Sequence, residues 1–168
     1  MTNRTANLLG VVGLAVADRI EHVAREILGR VGETPAALVV IGHGTGLSND
    51  ALRRILGRSH PGTVRLVDRL VADGLVERTE GQDRRAVALR LTDQGHAVRD
   101  ELLDGRLSAV DALLETLSSR ERDLLDALLT KILTSLDATI DERRTLCRLC
   151  DVQVCENCPI PASEGRVA

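Results

Sequence analysis

The spacing of apolar residues restricts this chain to a mostly helical fold with one small sheet. Apolar side chains recur every three or four positions along most of the sequence, which predicts amphipathic helices. Between Val76 and Leu91 the spacing changes to every second residue around a polar segment at 80–83, which predicts a β-hairpin. Four helices before the hairpin and two after it give a mainly α (α+β) fold, and the order of elements within 34–92 is typical of a winged helix-turn-helix.

The first helix is predicted to run from about residue 5 to residue 29. Its apolar residues step by three or four along one face: Leu9, Val12, Val16, Ile20, Val23 and Ile27. The alternative is a short signal peptide, because Arg4 precedes the apolar segment 8–17. The helix is favoured because its spacing continues past the position where a signal peptide would be cleaved. No apolar segment reaches the roughly 18–20 residues that span a bilayer, so we expect a cytoplasmic protein with no membrane partner.

Composition limits the kinds of nucleic acid that the chain can bind. The 168 residues include no Phe, Tyr or Trp, so no aromatic platform is available on which single-stranded bases could stack. The net charge is −3, yet residues 53–90 contain nine Arg against five acidic residues. A basic patch on an acidic body is typical of docking on the phosphates of double-stranded DNA, although a solvated surface of mixed charge is the alternative.

The fourth helix, which begins after Ser59, is the candidate for DNA recognition. Arg65 and Arg69 lie one turn apart on its polar side, and Gly62 adds no bulk near its N-terminus. A recognition helix enters the major groove with its N-terminal residues nearest the bases, where Arg suits guanine and His60 would reach a base edge or a phosphate. The helix N-terminus at Ser59 also favours a phosphate. The alternative is an ordinary amphipathic surface helix.

The predicted tip of the hairpin carries a second basic group. Arg84 and Arg85 lie where the strands turn, and an Arg at a hairpin tip can enter the narrow minor groove. Asp83 would orient one of these guanidinium groups through a bidentate pair. The alternative is an exposed charged turn without a ligand.

Three segments of the sequence resemble the MarR (multiple antibiotic resistance regulator) family: LVDRLVADGLVER at 66–78, DRRAV at 83–87 and LTDQG at 91–95. The resemblance implies a winged helix-turn-helix homodimer with a DNA-binding lobe at about 34–92. It also implies long N- and C-terminal dimerisation helices, at about 5–30 and 93–146. Proteins of this kind usually repress transcription from a pseudo-palindromic operator, and many release DNA in response to a small molecule or an oxidant.

The tail, 147–168, carries all four cysteines of the chain, and it is not part of the family pattern. They form two Cys-x-x-Cys pairs, Cys147 with Cys150 and Cys155 with Cys158. Two such pairs can complete a tetrahedral zinc site, whereas the Cys-Pro at 158–159 resembles the end of bacterial iron–sulfur motifs. A metal-free thiol switch is a third interpretation, because Arg143, Arg144 and Arg148 would lower the thiol pKa values. Inert cysteines are a fourth. The DNA-binding fold of 1–146 is expected to require no cofactor.

Three classes of function follow from these patterns. A sequence-specific DNA-binding regulator, responding to a metal, an oxidant or a small molecule, fits most of them. A winged helix used only for protein–protein contacts is the alternative, but such a module does not need Arg65, Arg69, Arg84 and Arg85. An enzyme is not expected, because the sequence shows no nucleophile–base arrangement and no paired catalytic carboxylates. The glycine-rich turn at 42–46 follows a helix and not a strand, so it is not expected to bind a nucleotide.

Overall fold

A computed structural model describes residues 3–44, 46–80, 87–136, 138–155 and 158–163. Its helices are α1 (Arg4–Leu28), α2 (Glu33–Gly42), α3 (Asn49–Ile55), α4 (His60–Ala72), α5 (Asp93–Asp111), α6 (Ser119–Thr134) and α7 (Ile140–Leu146), with one 3-10 turn at Ala112–Leu114. The strands are β1 (Val76–Glu80), β2 (Val87–Leu91), β3 (Ala138–Thr139) and β4 (Ala162–Ser163). The mainly helical winged-helix prediction is therefore confirmed.

Local capping chemistry sets most helix starts where the sequence predicts them. Three hydroxyl side chains accept a hydrogen bond from the backbone N–H three residues further on: Ser48 at 3.1 Å, Ser59 at 3.3 Å and Thr92 at 3.0 Å. Such bonds satisfy N–H groups that have no partner inside the helix. The sequence also predicts a cap at Thr34 with Pro35 as the first helical residue. This prediction is wrong, because α2 begins at Glu33 and Thr34 is buried inside the helix.

The core lies in the lobe that holds α4. Residues 34–41 of α2 are buried throughout, and they pack against α3, α5 and β2. The fully buried hydrophobic side chains of the core are aliphatic, as the lack of aromatic residues requires, and they include Leu38, Leu52, Val67, Leu70 and Leu89. Because α4 contributes four large or β-branched side chains to this core, its position follows from the packing of the whole lobe.

The hairpin forms with the predicted strands. β1 and β2 are antiparallel, with Val76 opposite Leu91 and Glu80 opposite Val87. Leu47 forms an isolated β-bridge with Leu89 of β2. Its backbone N–H donates to the Leu89 carbonyl at 3.2 Å, and its carbonyl accepts from the Leu89 N–H at 2.8 Å. The residues that connect β1 to β2, 81–86, lie outside the described part of the chain.

Two glycines permit close packing around the hairpin. A Cβ on Gly95 of α5 would lie 2.0 Å from the backbone carbonyl oxygen of Leu75, so only glycine fits at this position. A Cβ on Gly42 would lie 2.4–2.9 Å from the side chains of Arg99 and Leu91. The start of the glycine-rich turn therefore serves packing.

The C-terminal region differs from its prediction. The sequence predicts one last helix with its apolar residues on one stripe: Leu125, Leu129, Ile132, Leu136 and Ile140. This prediction is wrong, because α6 ends at Thr134 and a separate helix, α7, begins at Ile140. The break has a local cause, since the backbone N–H and hydroxyl of Thr139 both donate to Glu142, each at 2.8 Å, and form a capping box.

Two helices have apolar side chains that nothing in the described chain covers. In the first half of α1 these are Leu8, Leu9, Val11, Val12 and Leu14, and on α6 they are Leu124, Leu128, Leu129 and Ile132. No residue of α6 is buried. Within the described residues, none of the helices is long and apolar enough to cross a membrane.

Candidate nucleic-acid interface and cysteine site

The polar face of α4 is arranged largely as the sequence predicts. Thr63, Leu66, Val67 and Leu70 are buried on its inner side. His60, Arg65 and Arg69 are exposed on the outer side, and the cap residue Ser59 is also exposed. Gly62 is an exception. It is buried, and a Cβ there would meet the side chains of Ser59 and Arg58 at 3.1–3.5 Å. The placement of Gly62 on the exposed outer side is therefore wrong, and its role in DNA binding stays a prediction.

Ion pairs neutralise much of the basic patch that the charge count predicts. Arg53 and Arg54 both bind Asp50, and Arg54 also lies 3.6 Å from Asp141. Arg58 binds Glu33. Across the described residues, the guanidinium groups of Arg65 and Arg69 have no ion-pair or hydrogen-bond partner. Within the described part of this patch, cations available for an external anion thus lie on the recognition face of α4.

An ion pair between α4 and the wing was not anticipated from the sequence. Asp68 on α4 accepts a hydrogen bond from Arg78 on β1 at 2.5 Å. The two residues are ten positions apart, so neither helical nor strand periodicity pairs them. The contact links the first wing strand to the outer face of α4. It also pairs the carboxylate of Asp68, which lies between Arg65 and Arg69 in sequence, with a cation, so that this carboxylate repels an approaching phosphate less.

The predicted wing residues Asp83, Arg84 and Arg85 lie in 81–86, outside the described residues. The register of β1 and β2 does confirm that this segment is the hairpin connection, as predicted.

The cysteine tail folds back onto the helix-turn-helix. The hydroxyl oxygen of Thr145 of α7 lies 2.9 Å from the carbonyl oxygen of Ile55, across 90 positions of sequence, and 3.0 Å from that of Asp141, and it can donate its hydrogen to either. The four half-buried cysteines line a cavity of about 440 Å³ together with Val40, His43, Leu47, Ile55 and both arginines of α7. No signal in the sequence placed the tail against α2 and α3, because the family resemblance does not extend to it.

The pKa values of two thiols, Cys147 and Cys150, are higher than the sequence predicts. Burial raises the pKa of Cys147 to about 11, with neighbouring thiols adding to the effect and Arg143 opposing it. Burial also raises the pKa of Cys150, and the neighbouring Cys155 adds to this more than Arg106 opposes it. The expectation that arginines would lower these pKa values is wrong, because desolvation of the thiolate outweighs the attraction of the cations.

A histidine at the end of α2 lies beside the tail. Partial desolvation lowers the pKa of His43 and the nearby Arg99 lowers it further, whereas Asp151 and the backbone of Cys150 raise it. The α2–α3 corner and the Cys147–Cys150 turn are therefore neighbours. Among the described residues, no group of three or more His, Cys, Asp or Glu side chains is placed so that it could hold a metal ion.

Comparison with known proteins gives the same assignment as the fold. A model of the MarR family matches residues 33–86. The transcriptional repressor MprA of Escherichia coli is 36% identical over 83 residues, 49% of this chain and 47% of its own, so the chain spans about half the length of that repressor. The HTH-type transcriptional repressor MdtR of Bacillus subtilis is 30% identical over 140 residues, 80% of this chain and 88% of its own.

A solved structure of a repressor on DNA is also similar. The transcriptional repressor CouR, bound to a 23-mer DNA duplex, has a TM-score of 0.58 and 27% identity over 74% of this chain and 89% of its own. The helix-turn-helix with its α4 face, the wing register, and the match to MdtR over most of both chains lead to one assignment. The chain belongs to the MarR family of transcriptional regulators.

Proposed function

We propose that this chain is a homodimeric repressor that binds a pseudo-palindromic operator with α4 in the major groove and the 81–86 connection in the minor groove. The observation that carries the proposal is the distribution of free charge. Arg65 and Arg69 lack partners among the described residues, while Arg53, Arg54, Arg58 and Arg78 bind carboxylates. The similarity to MprA and MdtR, both repressors, and to DNA-bound CouR supports it.

The proposed contacts divide into two kinds. Arg65, exposed near the middle of α4, would read a guanine through two hydrogen bonds, whereas Ser59 and His60 at the helix start would contact a phosphate. Arg84 and Arg85 would enter the minor groove, with Asp83 orienting them. Major-groove contacts then specify sequence, and the wing adds affinity that depends strongly on salt.

The dimer is proposed from the uncovered apolar faces of α1 and α6. Leu9 and Leu14 on α1 are 51% and 69% exposed, and Leu124 on α6 is 60% exposed. Apolar surfaces of this extent usually mark an interface. A two-fold dimer built on α1 and α6 presents two α4 helices, which fit half-sites about one helical turn apart. Residues 1–146 would form this regulator unit, with 147–168 as its tail.

The test is operator selection followed by quantitative binding. Duplexes selected from a random pool by the full chain should contain an inverted repeat. On the selected duplex, Arg65→Ala should weaken binding by about 5- to 150-fold, equivalent to about 1–3 kcal/mol, and relax preference at one base position. Arg25→Ala, which removes an exposed arginine on α1, is the matched control and should bind like the parent. Equal affinity of the Arg65→Ala variant and the parent would contradict the proposal.

A further inference from the structure

We propose that Cys147, Cys150, Cys155 and Cys158 form a site for one zinc-class metal ion, and that the bound ion fixes the tail to the helix-turn-helix and sets DNA affinity. The second half of this proposal rests on the proposed function. The metal site itself does not, and it can be tested without DNA.

All four cysteines line the same cavity. The two Cys-x-x-Cys pairs lie near each other, since Cys158 helps to raise the pKa of Cys147 and Cys155 helps to raise that of Cys150. The backbone N–H of Cys150 donates to the carbonyl oxygen of Cys147 at 2.9 Å, so the first pair lies on one tight turn after α7.

A single tetrahedral ion suits this arrangement better than a cluster. Zn–S bonds of about 2.3 Å place the four sulfurs about 3.8 Å from each other, which suits thiols that lie near enough to raise one another's pKa. In an iron–sulfur cluster the thiolates ligate two or more different irons, which spreads the cysteine sulfurs further apart. No group of the described residues is already placed so that it could hold an ion, so binding must draw the sulfurs inward from their present positions around the cavity.

The charge around the cavity is complementary to such a centre. Four thiolates and one divalent cation carry a net charge of −2. Arg143 lies close to Cys147, and Arg106 of α5 lies close to Cys150. The Nε of Arg106 is buried and has no hydrogen-bond partner among the described residues. An unpaired buried donor is costly, and a thiolate of Cys150 in the metal site would give it an acceptor.

The site is attached to the elements that position α4. Besides the Thr145–Ile55 bond at 2.9 Å, Asp141 of α7 lies 3.6 Å from Arg54 of α3. Leu149, between the first two cysteines, lines two cavities together with residues of α1, α2 and α5. Because α3 packs on α4, drawing the sulfurs together would shift the α2–α3 corner relative to α1. A ligand that binds two such arrangements with different affinity shifts the equilibrium between them.

The metal test uses the full chain after removal of bound metal by a chelator. Titration with zinc should give one ion per chain, and cobalt(II) should give the visible bands and thiolate charge transfer of a tetrahedral four-sulfur site. A Cys147→Ser, Cys158→Ser double variant should lose both. Arg106→Met should weaken zinc binding by about 10- to 100-fold, whereas Arg25→Met should leave it unchanged. Because the cobalt spectrum is measured on the parent chain, a misfolded variant would not leave the site untested.

Several results would overturn the metal site. These are a brown protein containing iron and sulfide after purification without oxygen, zinc bound equally by the double variant, or four free thiols with no zinc bound at micromolar concentration.

The coupling test compares operator affinity with and without zinc. Loading should change the affinity of the parent by about 5-fold or more and leave that of a Cys147→Ser, Cys150→Ser variant unchanged. Equal affinity of the loaded and metal-free parent would refute the coupling. Absence of any selected operator, with one zinc still bound per chain, would refute the proposed function and not the metal site.

Discussion

Replacing Gly95 by alanine should destabilise the protein, although alanine is the better helix former. A Cβ at this position would lie 2.0 Å from the Leu75 carbonyl oxygen, where 3.0 Å is the practical minimum, so the start of α5 must move by about 1.0 Å. The same carbonyl accepts from the backbone N–H of Thr92 at 3.2 Å, and the Thr92 hydroxyl donates to the Gly74 carbonyl at 2.6 Å. Both hydrogen bonds lie at the contact that must open.

The expected magnitude follows from three contributions. Overpacking costs about 1–3 kcal/mol, and each of the two hydrogen bonds contributes about 0.5–1.5 kcal/mol. Alanine returns about 1 kcal/mol of helix propensity. The net loss in the free energy of unfolding is therefore about 1–5 kcal/mol. At the centre of that range the midpoint of thermal unfolding should fall by about 6–12 °C for a chain of this size.

The assay is urea and thermal unfolding followed by far-ultraviolet circular dichroism, because the chain contains no Trp or Tyr for fluorescence. Gly10→Ala in α1 is the matched control, since nothing lies within 4 Å of a Cβ there. It should gain up to about 1 kcal/mol from helix propensity. Both variants should be measured over a range of protein concentrations, because α1 carries part of the proposed dimer face. If Gly95→Ala unfolded at the same urea concentration as the parent or above it, the steric reasoning would be refuted.

Three further predictions concern assembly, charge and pH. Leu128, which is 50% exposed, lies on the apolar face of α6. Leu128→Glu should convert dimers to monomers in light scattering at micromolar concentration, whereas Asp123→Lys, on the opposite exposed side of α6, should leave the dimer intact; a dimeric Leu128→Glu variant would argue against this interface. Arg78→Ala should lower the free energy of unfolding by at most about 1 kcal/mol, because the pair with Asp68 is partly exposed. The same variant should weaken operator binding, because the freed carboxylate of Asp68 repels phosphates. Unchanged operator affinity would show that the Arg78–Asp68 pair does not affect DNA binding. Hydrogen bonds from the hydroxyl and backbone N–H of Ser118 lower the pKa of Glu121. The stabilisation by the Glu121 carboxylate is therefore fully present above the ordinary glutamate pKa, and it is lost as the pH falls through the lower pKa of Glu121 in the folded protein. Glu121→Gln should accordingly flatten the decline of thermal stability between about pH 6 and pH 3, and an identical decline in both proteins would count against the capping box.

The sequence by itself determined the features that depend on residues close together in the chain. Apolar spacing identified α1 and the hairpin, and the caps at Ser48, Ser59 and Thr92 lie within three residues of the N–H groups that they accept from. The outer face of α4, with Arg65 and Arg69, also follows from helical geometry alone. These predictions succeeded because periodicity and capping are set by local backbone geometry.

Only the tertiary structure decided the features that join distant segments. Arg58 forms an ion pair with Glu33, and Gly62 is buried beside the Arg58 side chain. The last predicted helix divides at the Thr139 capping box, and α7 then returns to Ile55 through Thr145. The cysteines thereby reach the α2–α3 corner, where burial raises the pKa of Cys147 against the pull of Arg143. Ion pairing, desolvation and close contact all depend on which surfaces meet, and residue spacing along the chain carries no information about that.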